Sequence, residues 1–381
     1  MSGCSAIICE FDPLHKGHLS VISRAKESGD VVLAVMSGSF TQRGECALFD
    51  KYSRAEAAVR SGVDLVLELP FPWSSCSAEF FALGGVSVAI GVGARRFVFG
   101  SESGDVGFVR SLSSVKKSEE YGKLFKELDS GPVGVASLHA EVSSRLGFDP
   151  GPNDKLASFY ISEAENLGIN AEFEAVKRIP NDGERHVSAS DIRELFRRGE
   201  KEEAERLTAS SAVPAYKRPD TLSGVKSKLD DVLFTFWRIS APEKDPGIFD
   251  ASGGVYGRLL SSAKKARSGE EFYALSANKK YTAARLRRAA LFSLLGVKKE
   301  DLSVPPAFSF LLAADGRGTE YLSDLSPDIK VLTKPSDVSD LSAAAKKQYE
   351  LCRRADELFV LCSDPPSPAG ELLRRSPFIL K

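Results

Sequence analysis

Short apolar runs alternate along the first two hundred residues with stretches whose apolar positions recur at helical spacing. Residues 5–11 (SAIICEF), 30–38 (DVVLAVMSG), 63–70 (VDLVLELP), 95–104 (RRFVFGSESG) and 169–179 (INAEFEAVKRI) predict strands. Between them, 18–29 (HLSVISRAKESG) predicts a helix through Leu19, Ile22 and Ala25, and 51–62 (KYSRAEAAVRSG) one closed by Gly62. Residues 77–93, 152–168 and 188–199 predict three more, and 110–150 reads as mainly helical. Strands apolar on both sides and joined by helices imply a parallel sheet covered on both faces. With right-handed crossovers the expected fold class is α/β, a Rossmann-like doubly wound parallel sheet.

The pattern breaks at 211–224, inside SSAVPAYKRPDTLSG, where turn residues cluster and periodicity stops. The expected organisation is therefore a nucleotide-binding domain over 1–210, a linker over 211–224 and a mostly helical α+β C-terminal domain over 225–381. In that last segment 227–239, 281–296 and 342–359 predict helices, and 305–314 and 328–334 predict short strands. At 381 residues the chain exceeds what one core usually holds, which agrees with two domains.

Composition narrows the class more than the function. The chain is 43% hydrophobic and 27% charged, with a net charge of −1, so any nucleic-acid site must be a local patch. No run approaches the ~18 apolar residues that cross a bilayer, and the opening MSGCSAIICEF lacks a leader pattern. The six cysteines contain no C-x-x-C pair. A cytoplasmic protein with no membrane association and no structural zinc is expected.

Candidate chemistry concentrates in one loop. EFDPLHKGH follows the first strand and runs into the first helix, holding two of the chain's four histidines, while His139 and His186 lie apart. Open parallel sheets bind ligands beyond the carboxyl ends of their strands, and a helix N-terminus favours phosphate. Gly17 lets backbone approach an anion, Pro13 stiffens the loop, and His15 and His18 supply ring N–H donors. These are the parts of a triphosphate clamp. A second helix start, VSASDIR, carries Ser188, Ser190 and Arg193, a capping serine with an arginine in the first turn.

HKGH resembles the H-x-G-H signature of the nucleotidyltransferase superfamily, and SASDIR resembles its second, S-x-S-x-I-R motif. EFDPLHKGH, the block MSGSFTQRGECALFDKYSRAEAAVRSGVDLVLELP, SAEFFALGGVS, FGSE, PND and KRI together resemble the tRNA(Met) cytidine acetate ligase family. The likeness continues in KKYTAARLRRAALFSLLG, PPAF, VLTK and SPFIL, so it spans nearly the whole chain. The resemblance implies a ligase that forms acetyl-adenylate from acetate and ATP, then acetylates N4 of the wobble cytidine of elongator tRNA(Met). It implies that Ile8, Cys9, Glu10, Phe11, Asp12, His15, Gly17, His18, Gly100, Asn153, Lys177, Arg178, Ser188, Ser190 and Arg193 line the ATP site. Among them His15, His18, Arg178 and Arg193 would carry the chemistry, with magnesium on the phosphates through ligands the sequence does not identify. Arg43 in FTQRGE, and Lys279, Lys280, Arg285 and Arg288 around the helix 281–296, are the expected RNA contacts. The chain departs from the family where Asp12 replaces asparagine, Leu14 phenylalanine, Lys16 asparagine and Cys46 proline. The alternatives are a small-molecule nucleotidyltransferase, which the same phosphate motifs would serve, and an RNA-binding protein whose nucleotide site has degenerated.

Overall fold

The computed structural model describes residues 3–128, 135–178 and 188–381; His186 lies outside them. The chain opens with β1 (Cys4–Cys9), α1 (Lys16–Lys26), β2 (Val31–Ser37), α2 (Lys51–Arg60), β3 (Leu65–Leu69), α3 (Ala78–Gly91) and β4 (Arg96–Ser101). It continues through α4 (Val106–Lys116), α5 (Glu119–Leu128), α6 (Val135–Arg145) and α7 (Pro152–Asn166) to β5 (Glu172–Lys177). Then come α8 (Ala189–Arg197), α9 (Lys201–Leu207), α10 (Val213–Tyr216) and the two-residue β6 (Ser223–Gly224). A helical layer follows: α11 (Lys226–Ile239), α12 (Val255–Lys265), α13 (Gly269–Ser276) and α14 (Ala283–Leu295). The chain ends with β7 (Phe308–Ala314), α15 (Gly316–Asp324), β8 (Lys330–Leu332), α16 (Ala343–Leu361), β9 (Ser363–Asp364), α17 (Glu371–Arg374) and β10 (Phe378–Ile379).

Strands β3, β2, β1, β4 and β5 lie side by side in that order, all parallel. The order reverses between β1 and β4, so the crevice beyond their carboxyl ends is the expected ligand position. Alternate residues feed two cores. Ala6, Leu33, Val35, Leu67 and Phe97 face one side with Phe81, Val86 and Ile161. Ile7, Val32, Ala34, Val66 and Val98 face the other with Ile22, Ala25, Ala55 and Val59. Helix α3 is apolar around its whole circumference because it is enclosed. A Cβ on Gly84 would lie 2.6 Å from the Trp73 Cβ, and one on Gly85 2.6 Å from Ile8, so the helix sits where only glycine fits.

Past residue 225 the chain returns to the first sheet. Strand β7 pairs antiparallel with β3, and β8 and β10 pair with β7, so the C-terminal segment extends the first sheet. The apolar core that covers β1–β4 also contains Leu229, Trp237, Leu286, Phe292 and Phe359. Phe71 meets Phe292 with ring centroids 5.7 Å apart, and Phe80 meets Phe249 at 5.0 Å. The turn-rich segment 211–224 is a connection across one core. No helix among the described residues is long and apolar enough to cross a membrane.

Candidate active site

The H-x-G-H loop is a capped helix start whose caps are the histidines themselves. His15 is the N-cap of α1; its Nδ1 accepts from the Gly17 amide at 3.0 Å, and the His15 amide donates to His18 Nδ1 at 3.2 Å. The two rings stack at 3.9 Å, and the Phe11 ring meets His18 edge-on at 5.1 Å. With each Nδ1 lone pair used by a backbone donor, a neutral ring carries its proton on Nε2. His18 is held neutral: burial, then His15 and Arg178 beside it, push its pKa well below the usual 6.5. His18 therefore presents a neutral ring beside the positive end of α1. Phe11 is held at φ +45°, a region costing a non-glycine residue about 1–3 kcal/mol, and such strain collects at functional loops.

Surrounding segments fix this loop from all sides. The Leu14 amide donates to the Tyr216 hydroxyl at 3.1 Å, the Ala209 amide to the Leu14 carbonyl at 3.1 Å, and the Leu48 amide to Asp12 Oδ1 at 2.6 Å. Arg54, fully buried on α2, donates to the carbonyls of Phe49, Glu10 and Gly38 and so joins the ends of β1 and β2. Sequence reasoning missed Arg54, since one arginine in a helical pattern signals a solvated face.

The second motif closes on the first. Ser188 caps α8 through a reciprocal box with Asp191. Arg193 Nη1 donates to the Asp12 carbonyl at 2.6 Å and lies 3.4 Å from Asp12 Oδ2, while Nη2 donates to Ser190 Oγ at 2.9 Å. The aspartate at position 12 is thus paired with a cation, and its charge does not stand alone beside the loop. Across the crevice Arg178 follows β5, lies beside Gly100 and acts on His18, and its guanidinium makes no hydrogen bond or ion pair among the described residues. Lys177 is exposed and equally uncommitted among them.

The end of β4 meets the start of α7. Glu102, the last residue of FGSE, accepts from the Asn153 amide at 3.0 Å, from Asn153 Nδ2 at 2.5 Å and from the Asp154 amide at 3.1 Å. Asp154, buried, accepts from Ser101 Oγ and from the Ser103 amide. Gly100 and Asn153 therefore stand on one rigid corner beside the histidine loop. Ile8 and Cys9 end β1 beneath it, and burial pushes the Cys9 thiol well up, leaving it neutral.

The expected RNA contacts separate into two groups. Arg43 is exposed and without a hydrogen bond or ion pair among the described residues, and Lys279 and Lys280 are exposed, Lys280 over the Tyr281 ring. Arg285 and Arg288 are committed elsewhere. Arg285 donates to the carbonyls of Asp250 and Ser252, and Arg288, 8% exposed, pairs with Asp250 at 2.6 Å and reaches the Gln42 carbonyl. Both fix the turn in which Asp250 adopts φ +63°, which is a structural role. Gly44 explains how that helix meets the site: at φ +71°, a Cβ there would lie 2.9 Å from the Arg288 amide nitrogen, so the 38–50 loop rests on α14.

No group of three metal-ligating side chains occurs among the described residues. Magnesium arriving with ATP would be held mainly by phosphate oxygens and water, as its preference for retained waters allows.

Comparison with known proteins agrees with this geometry. The model of the HIGH Nucleotidyl Transferase family matches residues 2–371. A tRNA(Met) cytidine acetate ligase of Thermotoga petrophila is 33% identical over 82% of this chain and 79% of its own length. One of Leuconostoc citreum is 29% identical over 97% and 96%. The crystal structure of Thermotoga maritima TmcAL bound with alpha-thio ATP superposes with a TM-score of 0.89 at 27% identity, covering 99% of both chains. The chain belongs to the tRNA(Met) cytidine acetate ligase family, within the HIGH nucleotidyl transferases.

Proposed function

We propose that this protein activates acetate with ATP and transfers the acetyl group to N4 of the wobble cytidine of elongator tRNA(Met). The observation that carries this reading is the match of both halves of the chain to acetate ligases, since a small-molecule transferase needs only the nucleotide half. In the first step an acetate oxygen attacks the α-phosphorus and pyrophosphate leaves with the bond electrons. Nothing in that step needs a covalent enzyme intermediate; it needs positioning and charge neutralisation. The Nε2–H groups of His15 and His18 would meet the phosphate chain, and Arg178, Lys177 and Arg193 the departing pyrophosphate. Gly100 and Asn153 would face the nucleoside. Lys279, Lys280 and Arg43 would contact RNA phosphates, where compact cations on folded RNA act through shape and backbone.

Acetate-dependent exchange of labelled pyrophosphate into ATP tests the first half. Exchange is expected with the wild type, and His18→Ala should lower it by roughly 10²–10³-fold while the thermal midpoint stays put. Exchange that ignores acetate but follows another acid would favour the small-molecule transferase.

A further inference from the structure

We infer that Glu10 is the general base that takes the N4 proton as the cytidine attacks the acetyl-adenylate. This assignment rests on the proposed ligase reading and deepens it. Over the two steps, only one proton has to leave. Acetate and ATP enter already ionised, so adenylate formation needs no base. The exocyclic amine of cytidine is different: forming the N–C bond makes nitrogen cationic unless the proton departs with it. In the transfer step N4 bonds to the acetyl carbon, the carbon–oxygen bond to AMP breaks, and AMP leaves with the electron pair on its phosphate. The N4 proton passes to a Glu10 carboxylate oxygen. A carboxylate is therefore required at the adenylate but not in its synthesis.

Among the described residues three carboxylates follow the ends of β1 and β4 beside the histidine loop, Glu10, Asp12 and Glu102, and two of these are engaged on both oxygens. Asp12 is tied to the Leu48 amide and Arg193. Glu102 holds the start of α7 through three donors. Glu10 alone keeps an oxygen open: Oε1 accepts from the Gln42 amide at 2.7 Å, and Oε2 accepts no hydrogen bond among the described residues. The residue is oriented from behind as well, because Arg54 grips its carbonyl at 2.7 Å. It stands at the carboxyl end of β1, one residue past Cys9 and two before Asp12, in the crevice the reacting phosphorus must enter.

Its surroundings suit the task. Burial raises its pKa; the Gln42 amide lowers it, Asp12 raises it, and Arg193 and Arg43 lower it. Tyr160 of α7 and Cys9 also face it, both held neutral by burial. A carboxylate moved toward neutrality is a stronger base than an exposed one, yet still ionised enough to act. Transfer should thus fall as pH drops through this raised pKa.

The test uses Glu10→Gln in the full chain, whose side-chain oxygen can keep the Gln42 bond, with Glu10→Asp beside it. Pyrophosphate exchange reports the first step, and single-turnover acetylation of an elongator tRNA(Met) transcript reports the second. Transfer should fall by roughly 10²–10⁴-fold in Glu10→Gln, at least about tenfold more than pyrophosphate exchange falls, with partial return in Glu10→Asp. The low-pH limb of the wild-type transfer profile should vanish in Glu10→Gln. Equal loss of both steps would overturn the assignment and place Glu10 in nucleotide or metal binding; unchanged transfer would overturn it outright. Wild-type protein without exchange would instead refute the ligase reading.

Discussion

The residue whose charge is least expected beside a phosphate-binding loop is Asp12. Its carboxylate accepts from the Leu48 amide and faces Arg193, so two requirements of the site, an ordered loop and an available arginine, draw on one side chain. Replacing it with asparagine keeps the acceptor for Leu48 and the carbonyl contact to Arg193 while removing a negative charge beside the phosphates. Asp12→Asn should therefore tighten ATP by about 1 kcal/mol, roughly fivefold, as read by calorimetric titration. Weaker binding would mean that the Asp12–Arg193 pair itself shapes the phosphate site. The histidine pair was legible in the sequence because its whole geometry is local: cap, box and stacking lie within His15–His18. The burial of Arg288 was not. Spacing at i,i+3 places Arg285 and Arg288 on one face of α14, but only the tertiary fold decides whether that face meets water or the Asp250 turn.

At the scale of elements, the helix that matters most for holding the site is α2. It reads as an amphipathic surface helix, yet eight of its ten residues are buried, because α10 covers one side and β7 the other. Lys51 at its start is 1% exposed and pairs with Glu68 of β3 and Asp356 of α16, each at 2.7 Å, and Ser39 Oγ donates to Asp356. This knot ties the first sheet to the last long helix behind the 38–50 loop. Lys51→Met would leave two facing carboxylates uncompensated and should cost about 3–5 kcal/mol in urea unfolding. A loss below about 1 kcal/mol would show that the carboxylates share a proton instead. Glu68 adds a pH dependence: burial, with Asp356 beside it, raises its pKa to about 7. The folded state then holds a proton that the unfolded chain releases near its ordinary value. That contribution is complete below the unfolded pKa and is lost as pH rises through about 7. In Glu68→Gln the decline in stability between pH 5 and about 7.5 should flatten. No local pattern announced this network, since Asp356 stands 305 positions along the chain from Lys51.

Across the whole molecule, the parallel pairing of β1–β5 followed from periodicity. The joining of the two halves did not. The runs at 305–314 and 328–334 read as strands, but an antiparallel partner on the far edge of β3 is set by distant contacts and by Ser309 donating to the Glu68 carbonyl. Because β7 covers that edge and α14 and α16 complete the core, residues 1–224 should not fold alone. That fragment should be insoluble or unfold without cooperativity, whereas the full chain should show one transition by circular dichroism. A soluble fragment with native-like cooperativity would restore two independent domains. The same continuity brings the histidine loop, the 38–50 segment and α14 together through the Leu48–Asp12 and Gly44–Arg288 contacts.

Acetylation of the wobble cytidine is the most direct consequence of the proposed chemistry. The purified protein, given ATP, magnesium, acetate and an unmodified elongator tRNA(Met) transcript, should yield N4-acetylcytidine on digestion and mass spectrometry. The product should vanish without ATP, without acetate, or in His18→Ala. Acetylcytidine that forms without ATP, or its absence while acetate-dependent pyrophosphate exchange proceeds, would contradict it.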